Sequence, residues 1–262
     1  FRLVAGGGVR RRDKFDVVSI QFAIHYMMST RERARRFFKT VGDLLDVGGH
    51  LVATTIDARV VVEKIMNLGL DLSRLDTLEE QVGGDDPSII VKVGKGVCQL
   101  KFQPDTIRRL FTYEDDDHFG LQYTFTLVEG DDHSAGVGDA VNLPEWLTPL
   151  SVLTELAKEA GLELTSCDNF HEFYEKRKVP NDHWAAHRAL YNMHVLNQHG
   201  GISKDEWEVS RMYVAIKFTK VTEGNMVLED DEDSAFNGED DDEEDFWEEE
   251  AYDDDEDEED EP

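Results

Sequence analysis

The chain has 262 residues, of which 40% are hydrophobic and 10% aromatic, which is enough to bury one large α/β core. Asp and Glu number 58 against 27 Lys and Arg, a net charge of -31 that would repel nucleic acid if it were spread evenly. Residues 226–262 hold 24 of the acids and no Lys or Arg, so residues 1–225 carry a net charge of only about -7.

The cysteines and the apolar runs exclude further classes of protein. The two cysteines, Cys98 and Cys167, are too few for a disulfide framework and lack the CxxC spacing of a metal site, so we expect no metal. No apolar run approaches the roughly 20 residues of a membrane span, so we expect no membrane association.

The first predicted elements form a βαβ unit. Residues 15–20 (FDVVSI) are rich in β-branched side chains and predict a buried strand. Ser29 and Glu32 have the spacing of a capping box, which predicts a helix that continues to the glycines at 48–49. Residues 50–56 (HLVATTI) predict a second, parallel strand. The unit is typical of a doubly wound sheet, in which ligands bind at the carboxyl ends of the strands.

Shorter elements follow a predicted helix over residues 58–69. Residues 89–93, 97–102 and 122–128 alternate between apolar and polar side chains, which predicts a small antiparallel element. The rest of the folded part, which we expect to extend to residue 225, contains these predicted elements: helices over 150–161 and 181–198, and strands over 162–165 and 211–221. Residues 226–262 hold too few apolar side chains to offset their ordering entropy, so we expect a disordered acidic tail.

Polar side chains cluster directly after the first predicted strand. Gln21, His25 and Tyr26 lie within six residues of one another, where a doubly wound sheet is open to a ligand. An ordinary packing role for His25 and Tyr26 is the alternative, because most aromatic side chains with a polar group simply pack.

Six sequence blocks over about 200 residues resemble, in order, the catalytic domain of the eukaryotic mRNA cap guanine-N7 methyltransferases. The resemblance implies a Rossmann-like class I S-adenosylmethionine-dependent methyltransferase fold, without its amino-terminal strands and with an inserted antiparallel substrate element. The blocks are FDVVSIQFAIHY, GGHLVATTID, VKVGKGVCQLKF with FGLQYTFTL, LPEWLTPLSVLTELAKEAGLEL, NFHEFYEK and ISKDEWEVSRMYVAIKF.

The resemblance also implies a reaction and a set of binding residues. The reaction is methyl transfer from S-adenosylmethionine to N7 of the guanine in the 5′ cap of mRNA. Gln21 and Tyr26 match positions that contact the methyl donor, whereas His25, Glu145 and Tyr213 match positions that contact the cap guanine. Capped mRNA is then the substrate, the protein is a monomer and its location is the nucleus.

Elementary chemistry agrees with these roles. A carboxylate such as Glu145 accepts hydrogen bonds from both N1–H and the exocyclic amine of guanine, which adenine does not offer in that arrangement. N7 has a lone pair and loses no proton, so in-line transfer requires proximity and orientation and no general base. Each role has an alternative: Glu145 as an acid before the helix over 150–161, and Tyr213 as a core residue of an alternating strand.

The chain departs from the family at its beginning. A donor-binding glycine-rich turn of the D-x-G-x-G type belongs upstream of the first strand, and the glycines at 6–8 lack the strand-turn-helix frame that it requires. The upstream basic residues that the family uses on the triphosphate are missing too. Since the chain starts at Phe1, we expect a fragment that neither binds the donor tightly nor turns over by itself.

Two other functions are alternatives. A different class I methyltransferase, acting on a small molecule or a protein, would keep the donor residues but not the spread-out set of His25, Glu145 and Tyr213. A non-catalytic protein that works through its acidic tail is the second alternative. Such a tail either remains a solvated segment or binds a basic, transcription-associated protein, with Phe236, Trp247 and Tyr252 of the tail as anchors.

Overall fold

A computed structural model describes the protein at residues 13–112, 118–127, 141–177, 188, 191–194 and 201–228. These residues belong to one compact unit, residues 1–228. Most of the helix predicted over 181–198 lies outside the described residues, as do the acidic tail beyond residue 228 and the glycines at 6–8. Within the described ranges there are eight strands, which form two four-stranded sheets.

The first sheet has the strand order β1-β2-β8-β7. Strand β1 (Phe15–Gln21) pairs in parallel with β2 (Leu45–Ile56), and helix α1 (Arg31–Leu44) connects them. Strand β8 (Tyr213–Lys220) is antiparallel to both of its neighbours, β2 and β7 (Leu162–Asn169). The predicted βαβ unit and the Rossmann-like fold class are confirmed, with the last strand of the chain inserted between two parallel ones.

Helix α1 begins one residue later than the capping-box prediction requires. Thr30 is the N-cap, and its side-chain oxygen accepts a hydrogen bond of 3.2 Å from the backbone N–H of Arg33. Ser29 instead ends a short 3₁₀ helix, Ile24–Ser29. The predicted cap at Ser29 is therefore wrong, because the 3₁₀ turn uses the residue that the pattern assigned to the cap.

The glycines at 48–49 do not end α1 and lie inside β2. The register with β1 shifts so that Phe15 pairs with Leu45 and Val17 with His50, which leaves an irregular stretch in β2. A Cβ atom on Gly49 would lie 3.0 Å from the backbone oxygen of Phe15. Glycine is thus needed for the close approach of the two strands, and the predicted stop is wrong.

The end of α1 is held by a buried lysine of the last strand. Lys220 is 1% exposed, and its Nζ donates to the backbone oxygens of Gly42 and Leu45 at 2.8 and 2.9 Å. A third bond, 2.7 Å long, joins Nζ to the carboxylate of Glu223. The lysine therefore satisfies carbonyls that the helix leaves without partners and ties α1 to β8.

The second sheet is antiparallel throughout, with the order β3-β4-β5-β6. Its strands are β3 (Ile89–Val93), β4 (Cys98–Phe102), β5 (Gln122–Leu127) and β6 (Val141–Trp146). The predicted antiparallel element is confirmed in its first three strands. Strand β6 was missed because Pro144 interrupts its pattern and disfavours strand structure.

Six further helices pack on the two sheets. They are α2 (Ala58–Met66), α3 (Leu78–Val82), α4 (Pro104–Phe111), α5 (Leu150–Glu159), α6 (Phe170–Arg177) and α7 (Lys204–Ser210). Helix α5 ends before Gly161, whose φ of +78° and contact with the backbone of Thr222 leave no room for a side chain. Helices α1 and α5 cover the first sheet, while α2 and α4 contribute to a second core around Leu100 and Phe102. Among the described helices none has the length and apolar character of a membrane span.

Candidate functional site

The candidate site lies at the carboxyl edge of the first sheet. Strand β7 runs antiparallel to β8, which is antiparallel to β2, so β1, β2 and β7 all end at the same edge where β8 begins. This edge brings together the segment after Gln21, the end of β2 at Ile56, the start of α6 at Phe170 and the first residue of β8, Tyr213. Strand β6 of the second sheet packs against the 3₁₀ helix that follows β1.

A strained residue directs the chain from β1 into the 3₁₀ helix. Phe22 has a φ of +52°, in the left-handed region that side chains disfavour. Its backbone N–H donates to the backbone oxygen of Thr54 at 3.0 Å and to the Thr54 hydroxyl at 2.9 Å. These bonds hold the turn and leave the Phe22 ring 49% exposed at the sheet edge.

His25 is buried and electrically neutral. Its Nδ1 lies 3.4 Å from the hydroxyl oxygen of Thr55, and its Nε2 lies 3.5 Å from Oε1 of Glu145. Burial lowers the pKa of His25 to about 4. Of the buried side-chain nitrogens and oxygens in the described ranges, only Nε2 of His25 lacks a hydrogen-bond partner. If Nδ1 accepts from the Thr55 hydroxyl, Nε2 carries the proton and is available to a ligand.

Glu145 is a buried carboxylate that accepts a hydrogen bond from a buried phenol. It lies on β6 directly opposite Tyr123 of β5, whose hydroxyl donates to Oε2 at 2.5 Å. The Tyr26 ring lies beside that of His25, with centroids 4.2 Å apart, and its hydroxyl influences the Glu145 carboxyl. Burial raises the pKa of Glu145, and the hydroxyls of Tyr123 and Tyr26 oppose that rise. The alternative of Glu145 as a helix-terminal acid is wrong, because β6 carries it and α5 begins only at Leu150.

Three aromatic rings line the edge beside this carboxylate. Tyr213 contacts Phe22 edge to face, with ring centroids 5.2 Å apart, and lies 5.7 Å from the ring of Phe170. The pKa of the Tyr213 hydroxyl is raised, first by burial and then by nearby Cys98 and Glu145, so the phenol is neutral. The arrangement offers apolar ring surface next to buried hydrogen-bonding groups, which is what a nucleobase requires.

Gln21 is placed differently from the other predicted residues. Its side chain is exposed, and its amide nitrogen donates to the Ser19 hydroxyl at 3.0 Å and to the backbone oxygen of Val52 at 3.3 Å. The structure thus brings His25, Tyr26, Glu145 and Tyr213 into one cluster, whereas Gln21 stands at the rim.

Several residues of the site were missed from sequence. Tyr123 was seen only as part of an alternating strand, and Phe22 and Phe170 only as letters of larger motifs. Alternation identifies the strand, but the register that pairs Tyr123 with Glu145 depends on the full sheet. Within the described residues, no three His, Cys, Asp or Glu side chains are grouped so that they would hold a metal ion.

The sheet order and the residues at its carboxyl edge define an α/β protein of the class I methyltransferase type. The family model of the mRNA (guanine-N(7))-methyltransferase domain matches residues 9–221. The chain belongs to this family, as the sequence resemblance predicts.

Relatives of the family cover most of the chain. The mRNA cap guanine-N(7) methyltransferase 1 of Arabidopsis thaliana is 31% identical over 207 residues, which are 79% of this chain and 47% of that protein. The mRNA cap guanine-N(7) methyltransferase of Saccharomyces cerevisiae is 29% identical over 159 residues, 61% of this chain and 30% of that protein. The chain therefore spans half or less of the length of these relatives. Among solved structures, the CcbJ methyltransferase of Streptomyces caelestis covers 79% of this chain and 61% of its own, with 11% identity and a TM-score of 0.36.

Proposed function

We propose that this protein carries the guanine-binding part of an mRNA cap guanine-N7 methyltransferase, which transfers a methyl group from S-adenosylmethionine to N7 of the cap guanosine. The observation that carries the proposal is the buried carboxylate of Glu145, facing the unpaired Nε2 of neutral His25 beside exposed aromatic surface. A buried acceptor next to a buried donor matches the edge of guanine, which offers N1–H, an amine and O6.

Selectivity for guanine follows from burial. Adenine in the same pose would leave the Glu145 carboxylate without N1–H to bind, and an unpaired buried charge costs far more than an exposed one. His25 contributes as a neutral donor, because burial keeps its pKa near 4 and the ring uncharged at neutral pH. The pair therefore recognises a base and does not transfer protons.

The residues at the carboxyl edge of β1 fit the methyl donor. Gln21 offers an exposed side-chain amide, and half-buried Tyr26 offers a ring and a hydroxyl next to the guanine-binding carboxylate. These are groups that would hold the polar and apolar parts of S-adenosylmethionine. When bound, that compound supplies a methyl group on a positively charged sulfur.

The chain's own part in the reaction is orientation and charge stabilisation. Glu145 and His25 fix the base so that the N7 lone pair points along the line of transfer. N7 gives up no proton, so no residue is required as a general base. As the methyl group arrives, the purine ring becomes cationic, and the nearby Glu145 carboxylate stabilises that charge.

Methyl transfer to caps of different base tests the proposal. The complete polypeptide of the open reading frame would be given S-adenosylmethionine and RNA that begins with GpppG or ApppA. We expect N7 methylation of the guanosine cap alone. Failure to methylate either cap, with donor binding intact, would favour a class I methyltransferase that acts on another substrate.

The proposal also includes a cellular location, an oligomeric state and binding partners. We assign the protein to the nucleus as a monomer with capped mRNA as its substrate, and we assign binding of a basic, transcription-associated protein to residues 226–262. Fluorescence localisation tests the nuclear location, and light scattering tests the monomeric state. Pull-downs from extract that are unchanged by deletion of residues 226–262 would contradict the binding of a basic protein by these residues.

A further inference from the structure

Tyr123 is the buried polar side chain nearest to the guanine-reading carboxylate that no part of the proposed reaction uses. We infer that Tyr123 is a positioning residue for guanine recognition: its hydroxyl fixes the Glu145 carboxylate in the orientation that accepts two hydrogen bonds from guanine. The inference rests on the proposed function and deepens it, because it assigns the source of base specificity within the site.

The geometry leaves the Tyr123 hydroxyl little freedom. Tyr123 is 1% exposed, and its ring lies against Phe102 with centroids 5.4 Å apart. Its strand partner in the antiparallel register is Glu145 itself, and the hydroxyl reaches Oε2 at 2.5 Å. Because the ring is fixed by the core of the second sheet, the bond also fixes the carboxylate.

Counting hydrogen-bond positions shows what this bond leaves for a ligand. An ionised carboxylate has about four acceptor positions. Tyr123 occupies one of these positions, on Oε2, so Oε1 and the rest of Oε2 stay open to the N1–H and the exocyclic amine of guanine, which need one position each. The 3.5 Å separation from Oε1 is too long for a hydrogen bond from Nε2 of His25, which keeps its proton for O6.

RNA capped with inosine tests the inference, because inosine keeps the N1–H and N7 of guanosine but lacks its exocyclic amine. The variant Tyr123→Phe removes only the hydroxyl and keeps the packed ring. In the complete polypeptide we expect it to lower kcat/KM for GpppG-capped RNA about 10-fold, mostly through KM, since a hydrogen bond to a charged group is lost. We expect a smaller loss with IpppG-capped RNA, so the preference for guanosine over inosine declines.

The pH profile separates positioning from packing. Glu145 must be ionised to accept from guanine, so activity falls as the pH drops through the pKa of its carboxyl. Without the Tyr123 bond that pKa rises further, and the acid limb of kcat/KM moves to higher pH in Tyr123→Phe. A purely structural loss would lower activity at every pH and would leave the limb in place.

A control variant and a folding check accompany Tyr123→Phe. Tyr191→Phe, at a tyrosine that is 54% exposed, serves as the matched control, and a thermal melt checks that Tyr123→Phe folds. In a Glu145→Gln background, Tyr123→Phe should no longer move the acid limb. An active wild type in which Tyr123→Phe changes neither the inosine preference nor the acid limb overturns this inference alone. A wild type that methylates neither cap overturns the proposed function and the inference with it.

Discussion

The guanine side and the donor side of the candidate site are built in different ways. On the guanine side, His25 and Glu145 are buried, and Tyr123 and Thr55 hold them from two different sheets. On the donor side, the Gln21 amide is exposed and bonds to its own strand and to the neighbouring one. Because polar contacts are stronger and less replaceable where water is excluded, we expect specificity to depend on the guanine side.

The difference explains why base recognition needs so much of the chain. The carboxylate lies on β6, the imidazole on the 3₁₀ helix after β1, and the aromatic surface comes from Tyr213 of β8 and Phe170 of α6. The two hydrogen-bonding groups, on His25 and Glu145, are buried where these segments meet. The Gln21 side chain at the rim is instead exposed, so substitutions there should have smaller effects.

The largest expected effect is that of Glu145→Ala. Removing the carboxylate leaves the guanine donors unpaired and removes the charge that stabilises the cationic ring, so kcat/KM for capped RNA should fall by about 10²- to 10³-fold. Donor affinity, measured by calorimetry, should stay within a factor of two or so. Glu163→Ala, at an exposed carboxylate on β7, is the matched control. A loss in donor affinity equal to the loss in kcat/KM would contradict the division between the two sides.

Burial of His25 predicts a pH-dependent stability. Its folded pKa of about 4 lies below the ordinary 6.5, so folding releases a proton between these values and stability is lost as the pH falls from 6.5 to 4. The full loss amounts to about 3 kcal/mol. Glu145, whose pKa is raised, acts in the opposite sense, because its contribution is lost as the pH rises through that pKa.

Chemical denaturation over this pH range measures the effect. The variant His25→Gln replaces the imidazole N–H donor with an amide N–H donor and does not titrate. The slope of the unfolding free energy against pH should therefore flatten between 4 and 6.5. His118→Gln, outside the hydrogen-bond network of the site, controls for the loss of an imidazole. An unchanged slope in His25→Gln would mean that His25 is not held neutral by the fold.

The sequence was most informative where local pattern and chemistry coincide. The βαβ unit, three antiparallel strands and the segment that carries His25 and Tyr26 follow from periodicity and from the family motifs. Contacts between distant segments did not follow: the bond from Tyr123 to Glu145 depends on the register of β5 and β6, and the burial of Lys220 depends on the end of α1. Side-chain pairing across strands is set by the whole sheet, which no local window contains.

Phe22 lies at the boundary of the two sides, and its removal should have an intermediate effect. Phe22→Ala deletes a half-exposed ring that contacts Tyr213, so the affinity for GpppG should fall about 10-fold, the scale of one base-aromatic contact. Fluorescence titration with GpppG gives the affinity. Phe173→Ala, at an aromatic residue of α6 that is 40% exposed, should change it by less than about twofold if Phe22 is part of the binding surface.

The smallest effect is expected at the rim. Gln21→Ala removes an exposed amide whose bonds to Ser19 and Val52 are replaceable by water, so the KM for S-adenosylmethionine should rise only about threefold. The affinity for GpppG should not change, because Gln21 makes no hydrogen bond to His25, Tyr26 or Glu145 within the described residues. Gln122→Ala, at an exposed amide on β5, serves as the control. A loss at Gln21 as large as that of Glu145→Ala would show that donor binding depends on a single rim residue, and the contrast between the two sides would then be wrong.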